Sequence, residues 1–284
     1  MLRFFLFTTL LFIFSLSLCS CRPQKNVLVW MCLERCGGNS TTIHQNVQQV
    51  QQLVQSQLLN EVAFELFNLG PNSTLVSNNL TDINNILKHQ VPSVSRYAMV
   101  SSYPYPDQFI DWMRQLFANP QPFTAHCIEE MHTRQLDGFN IDFEPSTGAT
   151  QADGIAYAQW LNQFSLDIQQ AGGRVSADVA SWSPIWNLTD IGSSSINTVL
   201  TMSTYTGTFS SFERALNQAQ TDIPAQKLAI GLQTTNTQTN APYTDQELSQ
   251  RFDLLIKNNV QALGIWLAPI PKNWIPYLKD FQTM

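Results

Sequence analysis

Eight short apolar segments, at 27–30, 62–69, 97–102, 136–144, 175–181, 198–205, 228–232 and 262–267, recur along the chain with helical patterns between most of them. A strand covered on both faces reads as a short apolar run, and parallel neighbours need a crossover, usually a helix, to join them. Eight such units within 284 residues fit an α/β chain folded as one (β/α)8 barrel. Between the first two segments Ile43, Val47, Val50, Val54 and Leu58 recur at three- and four-residue steps through a Gln-rich background, which predicts an amphipathic helix. Further helices are expected over 82–89, 106–117, 122–134, 151–170, 210–220, 244–258 and 274–281, with Gly172 and Gly173 closing the one at 151–170. The stretch 182–195 has loop chemistry and room for a short, irregular helix only. An open doubly wound sheet is the alternative, but it calls for a Gly-rich phosphate loop after the first strand, and the turn Cys36-Gly37-Gly38 is too slight to be one.

Ahead of the first segment, Arg3 is followed by an apolar run over 4–18 and then by Cys19 and Ser20, the layout of a secretory signal peptide at 1–20. The run is shorter than the ~20 apolar residues of a bilayer-spanning helix, and no later run is longer. Residues 21–284 are therefore expected as a single soluble domain, secreted or held in a lysosome-like or extracellular compartment, monomeric and off the membrane once the leader is cleaved. Sequons at Asn39, Asn72, Asn79 and Asn187 agree with secretion and are candidate glycosylation sites. An oxidising compartment permits a disulfide, for which Cys32 and Cys36 are the candidates, while Cys127 sits in a helical pattern as a buried free thiol. A zinc site would need more than these two cysteines and His44, so no metal and no cofactor are expected. A net charge of −6 without a Lys/Arg cluster argues against nucleic acid, an anionic membrane surface or an acidic carbohydrate as partner.

The fourth segment, LDGFNIDFE, carries the chemistry. Strand alternation turns Phe139, Ile141 and Phe143 toward the covering helices and Asn140, Asp142 and Glu144 toward the barrel interior, with Glu144 nearest the C-terminal mouth where barrel enzymes do their chemistry. Burying three polar groups on one face costs several kcal/mol unless they bond one another or a ligand, so stability does not explain the pattern. Same-face neighbours stand about 6–7 Å apart along a strand, near enough for their side chains to share a proton. Strand-end acids that merely reach solvent, or an Asp-x-Glu metal pair, are the other readings; no third ligand presents itself for the latter. On the fifth segment Asp178 also falls where it could line the barrel, but no role is assigned to it.

The segment resembles the D-x-x-D-x-D-x-E signature of glycoside hydrolase family 18, the chitinases and endo-β-N-acetylglucosaminidases: Asp137, Asp142 and Glu144 match, as does Gly138, while Asn140 replaces the middle Asp as in chitobiase-like members. The resemblance implies a retaining, substrate-assisted hydrolase of chitin, chito-oligosaccharides or the chitobiose core of N-glycans. It makes Glu144 the acid/base, Asp142 the residue that orients the sugar's acetamide, and Asn140 and Asp137 supporting contacts to substrate. In LTMSTYTG, Tyr205 stands where the family's Met-x-Tyr-Asp motif has its Tyr, although Ser203 and Thr206 replace the Met and the Asp. In LGIWLAP, Trp266 would be the aromatic floor beneath the reacting sugar. Tyr103 and Tyr105, and Trp182 and Trp186, fall in mouth loops suited to flanking sugars. Only 233–243 and one helix separate the last two strands, which leaves no space for the α+β insertion that deepens some chitinase clefts. A catalytically silent chitinase-like lectin and a metal-dependent barrel hydrolase are the competing functions.

Overall fold

The computed structural model describes residues 24–78 and 80–284. The leader expected at 1–20, with Cys19, as well as Cys21 and the sequon residue Asn79, lie outside the described residues. In chain order the elements are β1 (Asn26–Met31), α1 (Ser40–Gln55), β2 (Glu61–Gly70), β3 (Thr74–Ser77), α2 (Ile83–Gln90), β4 (Ser95–Ser101), α3 (Phe109–Ala118), α4 (Gln121–Arg134) and β5 (Gly138–Asp142). They continue with α5 (Gln151–Gln170), β6 (Arg174–Val179), α6 (Leu188–Ser193), β7 (Thr198–Thr201), α7 (Phe209–Asp222), β8 (Leu228–Gln233), β9 (Thr235–Asn236), β10 (Ala241–Pro242), α8 (Asp245–Lys257), β11 (Ala262–Trp266) and α9 (Ile275–Thr283).

Strands β1, β2, β4, β5, β6, β7, β8 and β11 pair in parallel in that order, and β1 also pairs with β11, so the sheet closes on itself. This is the expected (β/α)8 barrel. Strand β3 folds back antiparallel on the far end of β2, and β9 with β10 makes a small hairpin between β8 and α8. Neither addition was legible in the apolar runs, because both strands of the hairpin are two-residue pieces and β3 keeps only Leu75 buried. Among the described residues no helix is long and apolar enough to cross a membrane.

Helix starts are set by local chemistry. Asn39, Thr150 and Thr244 cap α1, α5 and α8 with reciprocal side-chain and backbone bonds to the third helical residue, satisfying donors that would otherwise be left open. At α5 the third residue, Asp153, is also gripped by Arg114 of α3 through Nε and Nη2, each at 2.9 Å, and Arg114 holds the Gly148 carbonyl at 3.0 Å. The loop 145–149 that follows β5 is therefore fastened at its far end.

Alternation sorts the apolar residues into two layers. Phe139, Ile141 and Phe143 join the large cluster between barrel and helices, where Phe143 meets Phe109 edge-on and stacks on Trp160. A smaller cluster of Leu28, Trp30, Ala63, Tyr97, Met99, Leu200 and Ala229 fills the barrel itself. Asp137 and Gly138 show why β5 begins as it does. Asp137 accepts from the Arg96 backbone N–H at 2.8 Å, and its own backbone bonds Arg96 on one side and Arg174 on the other, which ties β4, β5 and β6 at the barrel's N-terminal end. Gly138 has φ +154°, and a Cβ there would lie 1.9 Å from the Arg174 carbonyl oxygen. Gly138→Ala is therefore expected to cost about 3 kcal/mol or to prevent folding, read as a lower midpoint in urea unfolding.

Candidate active site

Strand β5 delivers the acids to the mouth. Asp142 is its last residue, and its carbonyl accepts from the Ser102 N–H at 3.1 Å. Two residues on, the Glu144 N–H donates to the Ser102 hydroxyl at 3.2 Å, so the loop after β4 fixes the acid's backbone. The two carboxyl groups share a hydrogen bond. Burial pushes both above the ordinary carboxylate range; Asp142 goes well above it, raised further by the negative charges of Glu144 and Asp178. Asp142 Oδ1 is buried and has no hydrogen-bond partner. Physically, the pair retains one proton where ordinary carboxylates have lost theirs.

Behind the pair stands a polar plug. Asn140 is fully buried; its Nδ2 donates to Ser176 Oγ at 3.1 Å and to Asp178 Oδ1 at 3.0 Å, and its Oδ1 accepts from Trp30 Nε1 at 3.0 Å. The Trp30 indole N–H also lies near enough to the Asp178 carboxyl to favour its charged form.

Asp142, Glu144, Tyr205, Trp266 and Trp182 come together around one cavity of about 240 Å³, with Trp30, Tyr105, Asp178, Met202 and Gln233 completing the wall. Tyr205 follows a 3-10 turn at Met202–Thr204 that is pinned to β8 by the Thr204 hydroxyl, which donates to the Gly231 carbonyl at 2.7 Å. A Cβ on Gly231 would stand 2.8 Å from the Tyr205 ring, so the missing side chain makes the ring's seat. The expected strand 198–205 thus ends at Thr201, and the turn aims the Tyr. Burial and three nearby carboxylates push the Tyr205 hydroxyl well above its usual value, which keeps it a hydrogen-bond donor. The indole of Trp266 at the end of β11 lies 6.1 Å from that of Trp30.

A second cavity of about 390 Å³ adjoins the first and is lined by the loop 145–149 and by Ser183, Pro184 and Trp186. Tyr105, Glu144 and Trp182 line both cavities. Glu144 accordingly sits between two open compartments, and Trp182 stands beside it with 62% of its surface exposed.

Three expected substrate contacts fall elsewhere. Asn140 is sealed beneath Asp142 and cannot touch a ligand in the cavity. Asp137 lies at the opposite end of β5, five positions before Asp142 and clamped to Arg96, because a strand carries its first residue to the barrel's floor. Tyr103 is displaced by its neighbour: its ring lies against the Arg35 guanidinium, centroid at 4.4 Å, and Tyr105 takes the place on the cavity wall. Arg35 itself is paired with Glu65 at 2.9 Å and is carried by the loop that the Cys32–Cys36 disulfide closes. Cys127 is buried and free. Asp178 lines the cavity, as its place on the fifth segment allows, and Trp30 joins it there without a signal in the sequence beyond its inward position on β1. Among the described residues no three His, Cys, Asp or Glu are grouped to hold a metal.

No family model matches the chain, and no curated protein sequence does. Solved structures match it in three dimensions. The chitinase from Chromobacterium violaceum ATCC 12472 superposes with a TM-score of 0.73 at 11% identity, over 92% of this chain and 99% of that one. The spore cortex-lytic enzyme SleL from Bacillus cereus gives 0.73 at 11% identity, over 90% of this chain and 74% of the other. The Group IV chitinase from Ostrinia furnacalis gives 0.69 at 10% identity, over 92% and 100%. At these identities the likeness is one of fold, a chitinase-like (β/α)8 barrel.

Proposed function

We propose that this chain is a secreted retaining glycoside hydrolase of family 18 type that cleaves β-1,4-linked N-acetylglucosamine in chitin or chito-oligosaccharides. The observation that carries the reading is the placement of Asp142 and Glu144 at the C-terminal mouth around one cavity with Tyr205 and Trp266. A sugar lying on the Trp266 indole would place its glycosidic oxygen toward Glu144, which stands between the two cavities and so between the sugar that reacts and the one that leaves.

As the sugar binds, the proton of the pair passes wholly to Glu144 and leaves Asp142 charged; Glu144 then gives it to the glycosidic oxygen as that oxygen's bond to the anomeric carbon breaks. The carbonyl oxygen of the sugar's own acetamide forms the new bond to that carbon, giving an oxazolinium-like intermediate; the protein supplies no nucleophile, which is the substrate-assisted exception among glycosidases. Asp142 accepts the acetamide N–H and balances the positive charge, and Tyr205 donates its hydroxyl to the acetamide oxygen. Water then attacks the anomeric carbon, passes a proton to Glu144 and reopens the acetamide, so that configuration is retained.

Between β8 and α8 the chain builds only the short β9–β10 hairpin, which suits a shallow, open cleft. That openness favours a second reading, cleavage of the chitobiose core of N-glycans. A silent lectin would gain nothing from a buried acid pair that costs stability. Secretion, and glycosylation at Asn39, Asn72, Asn79 and Asn187, belong to the same proposal; Asn39 and Asn72 are exposed, whereas the Asn187 amide is engaged with Asp190 at 2.6 Å.

Incubation of the purified chain with chitotetraose and, separately, a high-mannose glycopeptide, with product masses recorded, tests the assignment. Shortened chito-oligosaccharides support the first reading, a released glycan bearing one N-acetylglucosamine supports the second, and intact substrates in both overturn the pair. Trp182→Ala is expected to raise KM about 10-fold through lost stacking, with the melting temperature unchanged because its ring is mostly exposed.

A further inference from the structure

We propose that Asp178 is a positioning residue of this site: the charge that Asn140 cannot carry is supplied from the neighbouring strand, and it confines the exchangeable proton to the Asp142–Glu144 pair. The inference rests on the hydrolase reading above.

The register places it. Strands β5 and β6 pair Asn140 with Ser176 and Ile141 with Ala177, so Asp142 and Asp178 come next at one height on adjacent strands, both inward. Parallel strands lie about 4.8 Å apart, a distance at which two carboxylates in a buried site cannot both ionise freely. Hydrogen-bond donors decide which of them holds the charge. Asp178 receives Asn140 Nδ2 at 3.0 Å, and the Trp30 indole, which donates to Asn140 Oδ1 at 3.0 Å, fixes that amide's orientation, whereas Asp142 Oδ1 receives nothing. Burial pushes Asp178 well above the ordinary carboxylate range as it does Asp142, but the Asn140 donor favours its charged form, so Asp178 ionises ahead of Asp142 and the proton stays with the Asp142–Glu144 pair. Asn140 is suited to this arrangement: an amide donates to Asp178, while a carboxylate in its place would add a fourth acid against it.

Other charged and titratable groups face this cluster from every side. They are Glu144 two residues past the end of β5, Tyr105 after β4, Tyr205 after β7, Tyr157 of α5, and Arg35 after β1, whose positive charge acts on Asp142. None of them donates to the Asp178 carboxyl in the described residues. The donor to Asp178 is Asn140, held in place by Trp30, and both residues are buried.

Asp178→Asn separates this role from simple packing. It is expected to lower kcat on chitotetraose at least about 10-fold with KM changed less than about threefold, and to move the high-pH limb of the kcat profile acidward by about one unit, since the pair loses the neighbouring charge that holds its proton. The exchange Asn140→Asp with Asp178→Asn returns a carboxylate to the cluster and is expected to restore the limb and most of kcat. A second readout needs no substrate: carbon NMR titration of carboxyl-labelled Asp and Glu should show the Asp142–Glu144 signals titrating at lower pH in Asp178→Asn than in the parent. Unchanged kcat and limb in Asp178→Asn, an exchange variant no better than the single one, or unshifted carboxyl signals would each overturn the proposal. A parent protein that cleaves no N-acetylglucosamine oligomer instead overturns the hydrolase reading, and the NMR titration then decides the role of Asp178 alone.

Discussion

Glu144→Gln is expected to lower chitotetraose turnover by about 10³–10⁴-fold, the range for removing a positioned general acid, with affinity for the oligosaccharide kept. Gln preserves the shape that lines both cavities and can accept the bond from Asp142 through its amide oxygen, so the sugar still finds its walls. What it lacks is the proton for the leaving oxygen. Turnover by single-reaction kinetics and affinity by calorimetry separate these effects; a variant retaining more than about a tenth of turnover would remove Glu144 from the role. Stability moves the other way. Both acids have folded-state values above their ordinary ones, so their contribution is fully present below the ordinary carboxylate range and is lost as pH rises through the raised values. Glu144→Gln removes the part of that loss due to Glu144 and should melt at or above the parent temperature near neutral pH, and equal to it in acid.

Asp142→Asn is expected to lower kcat by about 10²–10³-fold, the scale for losing one preorganised electrostatic contact to a developing charge. Asn can still touch the acetamide, yet it brings no negative charge to the oxazolinium and cannot hold a proton in common with Glu144. Its signature differs from that of Glu144→Gln in one respect. Glu144 remains, relieved of a like charge beside it, so the high-pH limb of the residual activity should move acidward. Kinetics across pH 4–9 on both variants checks this, and a limb that stays in place in Asp142→Asn would show that the two carboxyls do not share their proton.

Alternation along one strand was enough to place Phe139, Ile141 and Phe143 outward and Asn140, Asp142 and Glu144 inward, because a strand covered on both faces leaves each residue only two directions. Closure of the barrel was legible from the spacing of eight apolar runs. What alternation cannot supply is height. Asn140 and Asp137 belong to the same motif as Asp142 and Glu144 but sit too low to meet a ligand, and the motif by itself does not say where the cavity floor lies. Lateral register is also hidden: Asp178 becomes a neighbour of Asp142 only through the pairing of Ile141 with Ala177. A trace of it was present, since Ser176 and Asp178 are the polar inward positions between outward Val175, Ala177 and Val179. Loop aromatics were the least legible, as the choice between Tyr103 and Tyr105 turns on Arg35, which arrives from a distant loop.

The stereochemistry of the first products bears most directly on the hydrolase reading. Proton NMR of chitotetraose mixed with the purified chain follows the anomeric signals of newly formed reducing ends. Substrate-assisted cleavage by Glu144 and Asp142 predicts that the β anomer appears first, in excess, and then relaxes to the equilibrium mixture. An initial excess of the α anomer, or no new reducing end, would contradict it.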